Sequence, residues 1–237
     1  IEFSVFVLTD GKDYRVLPVA KDYKRIGVGD TGPNTGGMGS VSHPPFVDAN
    51  MMSKVEQRVI KPTMEGIQAR QLDYKGFIFI GLISVEGEPF VIEYNCRMGD
   101  PETQSVMARL DSDFLQLCLE TADEKIGQST ISIDSRQAAT VVLVSGGYPG
   151  SYEKGKLILG LDEVTESMVF HAGTKRNEAG EVLTNGGRVL AVTSYGDTFE
   201  EALTQRYSNA RKIHFVGSNY RGAIGQSPIH IYEPTRR

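Results

Sequence analysis

Residues 90–104 read FVIEYNCRMGDPETQ, and this stretch constrains the fold more than any other because it drives a strand straight into a helix. Phe90, Val91 and Ile92 predict a buried strand. Alternate side chains of a strand share a face, so Glu93, Asn95 and Arg97 are expected to project together from its end. A carboxylate and an amide oxygen at that spacing suit a hard cation such as Mg²⁺, which takes oxygen ligands and completes its shell with substrate phosphates. Arg97 adds a two-pronged donor for a phosphate or carboxylate. Gly99 allows a tight turn, Asp100 predicts the helix N-cap, Pro101 suits the first helical position, and Glu102 favours the positive end of the helix dipole. An ordinary polar strand end followed by an ordinary capped helix has the same spacing, and from spacing alone both readings stand.

Around this stretch strands and helices alternate. Residues 3–9 (FSVFVLT) and 14–20 (YRVLPVA) flank Asp10-Gly11, a favoured hairpin dipeptide, so the chain is expected to open inside a sheet. Residues 21–45 hold six glycines and three prolines and predict an irregular loop of about 20 residues, a length usually functional or disordered. Its glycines would let backbone amides surround an anion, although a Gly/Pro/Asn-rich connector reads the same way; P-loop spacing is absent. Asp22, Lys24 and Arg25 precede the loop and are candidates to pair with phosphate or with the acidic site. His43 has no partner visible in the sequence and is assigned no chemistry. Met52, Val55, Val59, Ile60, Met64 and Ile67 predict an amphipathic helix over 50–70 that Pro62 kinks or divides. Two strands turning at Glu86-Gly87-Glu88 then deliver Glu93 and Asn95. Val106, Met107 and Leu110 continue the helix that follows, and Leu115, Leu117, Cys118 and Leu119 supply the apolar content of another. Asp111 and Asp113 read as its start rather than as metal ligands. Residues 123–136 lack periodicity and mark a boundary, beyond which short strands broken by glycine and proline lead to a last helix over about 198–213.

The chain carries 30 acidic and 25 basic residues, a net charge of −5, so it lacks the basic footprint of a nucleic-acid binder. No apolar run reaches the roughly 18 residues of a membrane span, and the first residues lack the pattern of a signal peptide. These features fit a cytoplasmic enzyme. Cys96 and Cys118 show neither CxxC nor histidine spacing and read as reduced thiols, with Cys96 alternating away from Glu93 and Asn95 toward the core.

Taken together, IEYNCRMGDPETQ, GVGDTGPNTGGMGSVSHPP at 27–45 and TNGGRVLAVTSYG at 184–196 resemble the phosphoribosylamine–glycine ligases of the ATP-grasp superfamily, over nearly the whole chain. The resemblance implies an α+β fold. Residues 1–124 would form the C-terminal part of an ATP-grasp domain, an antiparallel sheet with helices, followed by a linker at 125–136 and a small α+β domain at 137–237. It implies an enzyme of purine synthesis that uses ATP and Mg or Mn ions to join glycine to 5-phosphoribosylamine, with no nucleic-acid or membrane partner, as a monomer or weak dimer. The N-terminal half of such an enzyme would precede this chain, with Glu2 the remnant of a G-x-E segment.

By resemblance, Glu93 and Asn95 hold metal and Arg97 contacts the acid substrate. Asp22, Lys24, Arg25, Asp30, Thr31, Gly32, Pro33, Asn34, Thr35, Gly36, Gly37 and Met38 would lie over the active site, with Asp100, Pro101, Glu102 and Thr103 also contacting substrate. His171, Asn185 and Arg188 are rim candidates, although TNGGR otherwise passes as a hairpin turn. Some ATP-grasp enzymes carry a further carboxylate about twelve residues before the E-x-N motif; Gly81 stands there. The sequence departs from the family after Ile224-Gly225. Another ATP-grasp carboxylate–amine ligase would keep E-x-N without DTGPNTGGMG or GGYPGSYEKG, and a non-catalytic fragment serving as a folding or interaction module is the third reading.

Overall fold

Asp10 turns the chain as expected: its carboxylate accepts from the N–H groups of Lys12 and Asp13 at 2.9 and 2.8 Å, and Gly11 takes a φ of +89°. The computed structural model describes residues 1–225, so the divergence after Gly225 lies outside the described residues. In chain order the elements are β1 (Glu2–Thr9), β2 (Tyr14–Val16), β3 (Lys21–Asp22), β4 (Gly39–Ser42), α1 (Ala49–Val55), α2 (Lys61–Ala69), β5 (Gly76–Val85) and β6 (Glu88–Asn95). There follow α3 (Glu102–Arg109), α4 (Phe114–Ala122), β7 (Gln137–Val144), β8 (Ser167–His171), β9 (Thr174–Arg176), β10 (Val182–Thr184), β11 (Arg188–Gly196) and α5 (Phe199–Ala210). No helix among the described residues is long and apolar enough to cross a membrane.

The chain forms two units. The first, residues 1–21 and 42–135, is built on an antiparallel sheet ordered β2-β1-β5-β6. One face of the sheet sets Phe3, Val5, Val7, Ile78, Ile80 and Leu82 against Met51, Val55, Val59, Ile60 and Met64 of the long helical segment. The other sets Phe6, Leu8 and Phe79 against Val106 of α3 and Leu117 of α4. Each such side chain contributes roughly 1.5–3 kcal/mol on burial, so the two apolar layers hold the central strands from both sides. Pro62 does divide its helix: Glu56–Ile60 forms a wider turn in which the Lys61 N–H reaches back to the Glu56 carbonyl. A proline lacks a donor and crowds the carbonyl four residues earlier, and a wider turn accommodates both defects.

Four expectations need correction. β6 is an edge strand, so Phe90, Val91 and Ile92 are exposed rather than buried. Cys96, just past its end, is exposed as well. On α4, capped by Asp113 as predicted, Leu117 is buried but Leu115 and Leu119 are 67% and 54% exposed. Residues 125–135, expected as a linker, belong to the first unit: Ile126 is fully buried, and Arg109 Nε and Nη2 donate to the Asp134 carbonyl at 3.2 and 3.0 Å.

The second unit joins residues 22–41 to the described residues from Arg136. Its sheet runs β3-β4-β7-β11-β8, with a β9–β10 ribbon beside it, and α5 begins at a capping box between Thr198 and Glu201. The 22–41 segment falls here because β4 enters this sheet. Gly39 permits it, since a Cβ there would stand 2.4 Å from the Thr140 carbonyl oxygen. TNGGR is not a simple hairpin turn, because β10 pairs with β9 while β11 pairs with β7 and β8.

Candidate functional site

In the first unit the predicted trio is assembled at the end of β6. A bulge shifts the β5–β6 register: Gly81 pairs with Glu93 and Leu82 with Val91, so Ile92 is the extra residue. Asn95 pairs with Phe79, which puts Glu93 and Asn95 on one face. Arg97 lies past the strand yet joins that face. Its Nη2 donates to Asn95 Oδ1 at 3.2 Å, and its guanidinium carbon stands 5.7 Å from the Phe79 ring centre. Glu93 and Arg97 are exposed, whereas the half-buried Asn95 keeps a buried Nδ2 with no hydrogen-bond partner among the described residues.

The GDPET segment packs differently from its cap signal. α3 begins at Glu102 with Pro101 in the capping position, and Asp100 Oδ1 accepts from Gln104 Nε2 at 3.1 Å. The Gly99 carbonyl serves this end of the helix instead, accepting from both the Thr103 N–H (3.0 Å) and the Thr103 hydroxyl. Glu102 is buried, accepts from Ser4 Oγ at 3.1 Å, and lies so close to Gly99 that a Cβ there would stand 2.7 Å from Oε2. Ser4 pairs with Gly81, so the cross-strand row Ser4–Gly81–Glu93 runs from this buried carboxylate to the exposed one.

Glu93 and Asn95 fit a divalent cation in kind, offering one carboxylate and one amide oxygen on a common face. Asn95 Oδ1 is engaged by Arg97, so a cation would exchange that contact for its own. Among the described residues no group of three or more His, Cys, Asp or Glu gathers to hold a metal, so these two oxygens would need phosphate or water ligands beside them.

In the second unit the glycine-rich loop is folded as an irregular hairpin. Gly27 N–H donates to the Thr31 carbonyl at 3.0 Å, Ile26 N–H to Pro33 at 3.2 Å, and Thr35 N–H to Lys24 at 2.8 Å, with an Arg25–Asn34 bridge between. Gly36 N–H donates to the Tyr148 hydroxyl at 3.0 Å and Gly37 N–H to Thr35 Oγ1 at 2.9 Å. The amides of Gly27, Gly36 and Gly37 therefore serve the loop itself and are not offered to an anion. The Arg25 guanidinium donates to the Gly32 carbonyl at 2.8 Å, and Met38 is core, fully buried beside Val41 and Val142. Asp22 and Lys24 flank the buried Tyr23, while Asp30, Thr31, Gly32, Pro33 and Asn34 are exposed.

The rim candidates do gather. His171 ends β8 opposite Leu190, the Gly173 N–H donates to the Arg188 carbonyl at 2.9 Å, and the Asn185 N–H donates to the Gly173 carbonyl at 2.7 Å. Arg188 Nη1 reaches the loop, donating to the Gly36 carbonyl at 2.7 Å. His171 lines a cleft of about 300 Å³ with Thr174, Lys175 and Arg176. A larger cleft of about 890 Å³, beside the start of α5, contains none of the predicted residues. Sequence reasoning missed Tyr148, visible only as one aromatic in GGYPG, and Phe79 and Ser4, whose roles follow from pairing across the sheet.

Two models of the phosphoribosylglycinamide synthetase family match the chain: the ATP-grasp (A) domain over residues 1–103 and the C domain over residues 138–227. Over 231 residues the chain is 45% identical to phosphoribosylamine–glycine ligase of Vibrio vulnificus and 46% identical to that of Yersinia pestis, covering 96% of this chain and 54% of each relative. The crystal structure of phosphoribosylamine–glycine ligase from Thermotoga maritima superposes with a TM-score of 0.85 at 36% identity, covering 94% of this chain and 55% of that one. The chain thus spans about half the length of the curated relatives it matches.

Proposed function

Because the chain belongs to the phosphoribosylglycinamide synthetase family, we propose that it forms the metal- and acid-binding part of an ATP-dependent ligase joining glycine to 5-phosphoribosylamine. The observation that carries the reading is the assembly of Glu93, Asn95 and Arg97 on one face at the end of β6. Glu93 and Asn95 would hold a divalent ion, Mg or Mn, whose charge when bound offsets that of the ATP phosphates. Arg97 would orient the glycine carboxylate while it accepts the γ-phosphoryl group, giving glycyl phosphate and ADP. The phosphoribosylamine nitrogen then attacks the glycyl carbonyl, phosphate leaves, and the nitrogen gives up a proton as the amide of glycinamide ribonucleotide forms. No side chain here is assigned as the base. The glycine-rich loop, tied to Arg188 at Gly36, would contribute substrate contacts of its own.

The chain spans 54% of its relatives' length, and by itself it is proposed to be inactive. The reading also carries a cytoplasmic location and a monomer or weak dimer. The test is ADP release dependent on both glycine and phosphoribosylamine, measured on a full-length ligase carrying this sequence. Glu93→Gln should lower turnover by about 10²–10³-fold, the range seen when one charge-stabilising group is removed. Wild-type turnover in Glu93→Gln, or ADP release indifferent to glycine, would overturn the reading.

A further inference from the structure

We propose that Arg221 is a positioning residue that fixes the hairpin-like loop over residues 24–35 and so sets the loop's own contribution to substrate affinity. The inference rests on the ligase reading for the identity of that substrate, but not for the anchoring itself. Arg221 is 2% exposed and lies outside every motif that marks the site. Its Nη1 donates to the Arg25 carbonyl at 2.9 Å and its Nη2 to Asp30 Oδ1 at 2.7 Å. Arg25 stands where the loop begins, and Asp30 stands at its tip with a φ of +56°. One guanidinium therefore ties the start of the loop to its tip.

The arginine is held in its own right. The Tyr23 ring lies 5.3 Å from the guanidinium carbon, and the Tyr207 hydroxyl donates to the Arg221 carbonyl at 2.8 Å while accepting from the Ile224 N–H at 2.9 Å. An apolar side chain would fill this space without the cost of desolvating a charge. It would not hold Arg25 and Asp30, and a lysine ammonium lacks the planar fork that reaches both acceptors. Arg188 secures the other end of the loop at Gly36, so the segment between the two restraints, Thr31 to Thr35, is presented in one conformation.

The test uses Arg221→Gln, Arg221→Lys and Asp30→Asn in the intact protein, with amide hydrogen exchange and steady-state kinetics as readouts. Arg221→Gln should speed exchange of the Ile26, Gly27 and Thr35 amides about 10-fold and raise KM for phosphoribosylamine or glycine similarly, the loss expected from a charge-assisted hydrogen bond. kcat should stay within about threefold, because only binding geometry changes, and Arg221→Lys should fall between wild type and Arg221→Gln. Asp30→Asn alters the exposed partner and leaves the buried arginine in place, so it tests the anchor even if Arg221→Gln does not fold. Wild-type exchange and KM in both Asp30→Asn and Arg221→Lys would overturn the proposal. Faster exchange in a protein with no glycine-dependent turnover would sink the ligase reading while leaving the anchor standing.

Discussion

Gly81 lies directly opposite Glu93 across β5 and β6, and a Cβ at position 81 would stand 3.0 Å from Glu93 Cγ and 3.3 Å from Phe79 Cε1. The position where some ATP-grasp enzymes carry another carboxylate is therefore the space over which Glu93 lies. Gly81→Ala should displace Glu93 with little effect on folding, since alanine is no worse than glycine within a strand. Under the ligase reading, turnover of a full-length enzyme carrying this sequence should fall about 10-fold, as misplacement of a charge-stabilising group does, with the thermal midpoint nearly unchanged. A metal-activation curve identical to wild type would show that Glu93 does not need this space.

Ser4 holds a buried carboxylate. Ser4→Ala removes the hydroxyl that donates to Glu102 Oε1, and should destabilise the protein by about 1–3 kcal/mol, the contribution of a hydrogen bond to a buried charged group. Urea unfolding measures it. Ser4→Ala combined with Glu102→Gln should cost less than the sum of the two single changes, because both act on the same hydrogen bond.

On α4 one leucine supports the fold and its neighbours do not. Leu117→Ala should cost about 2–5 kcal/mol, whereas Leu115→Ala should stay within about 0.5 kcal/mol despite identical chemistry. Equal losses at the two positions would contradict the burial described.

Glu124 receives hydrogen bonds from Lys12 and Lys75, which hold its carboxyl down at about 2. A depressed carboxyl contributes stability that is present above its ordinary value of 4.5 and is lost as pH falls from there toward about 2. Unfolding measured across that window should show a steeper acid slope for wild type than for Glu124→Gln. Because the pair is exposed, added salt should shrink the difference.

Local chemistry was the legible part of this sequence. The Asp10-Gly11 turn, the Asp113 and Thr198 helix starts, and the break at Pro62 all depend on residues a few positions apart, and each is where the pattern put it. The shared face of Glu93 and Asn95 was legible too, because strand alternation is local, whereas Arg97 lies past the strand and joins them through its bond to Asn95. The exposure of Phe90 and Ile92 was not. An apolar run reads alike in a central and an edge strand, and only the sheet order distinguishes them. Met38 looked like part of a loop because its burial depends on β4 meeting β7, about a hundred residues later. The Asp100 cap failed because the Gly99 carbonyl accepts from the Thr103 N–H, in place of the Asp100 carboxylate.

The wide turn at Glu56–Ile60 makes one position's history depend on another's. Val55 and Ile60 are five residues apart yet both enter the same core cluster, which a regular α-helix would not allow so directly. Deleting a residue from the turn would bring Pro62 against the carbonyl four positions earlier, and replacing Pro62 alone would leave a bulge with nothing to accommodate. Made together, the two changes yield an unbroken helix. Shortening the turn is therefore costly while Pro62 is present and far less so once Pro62 has been replaced.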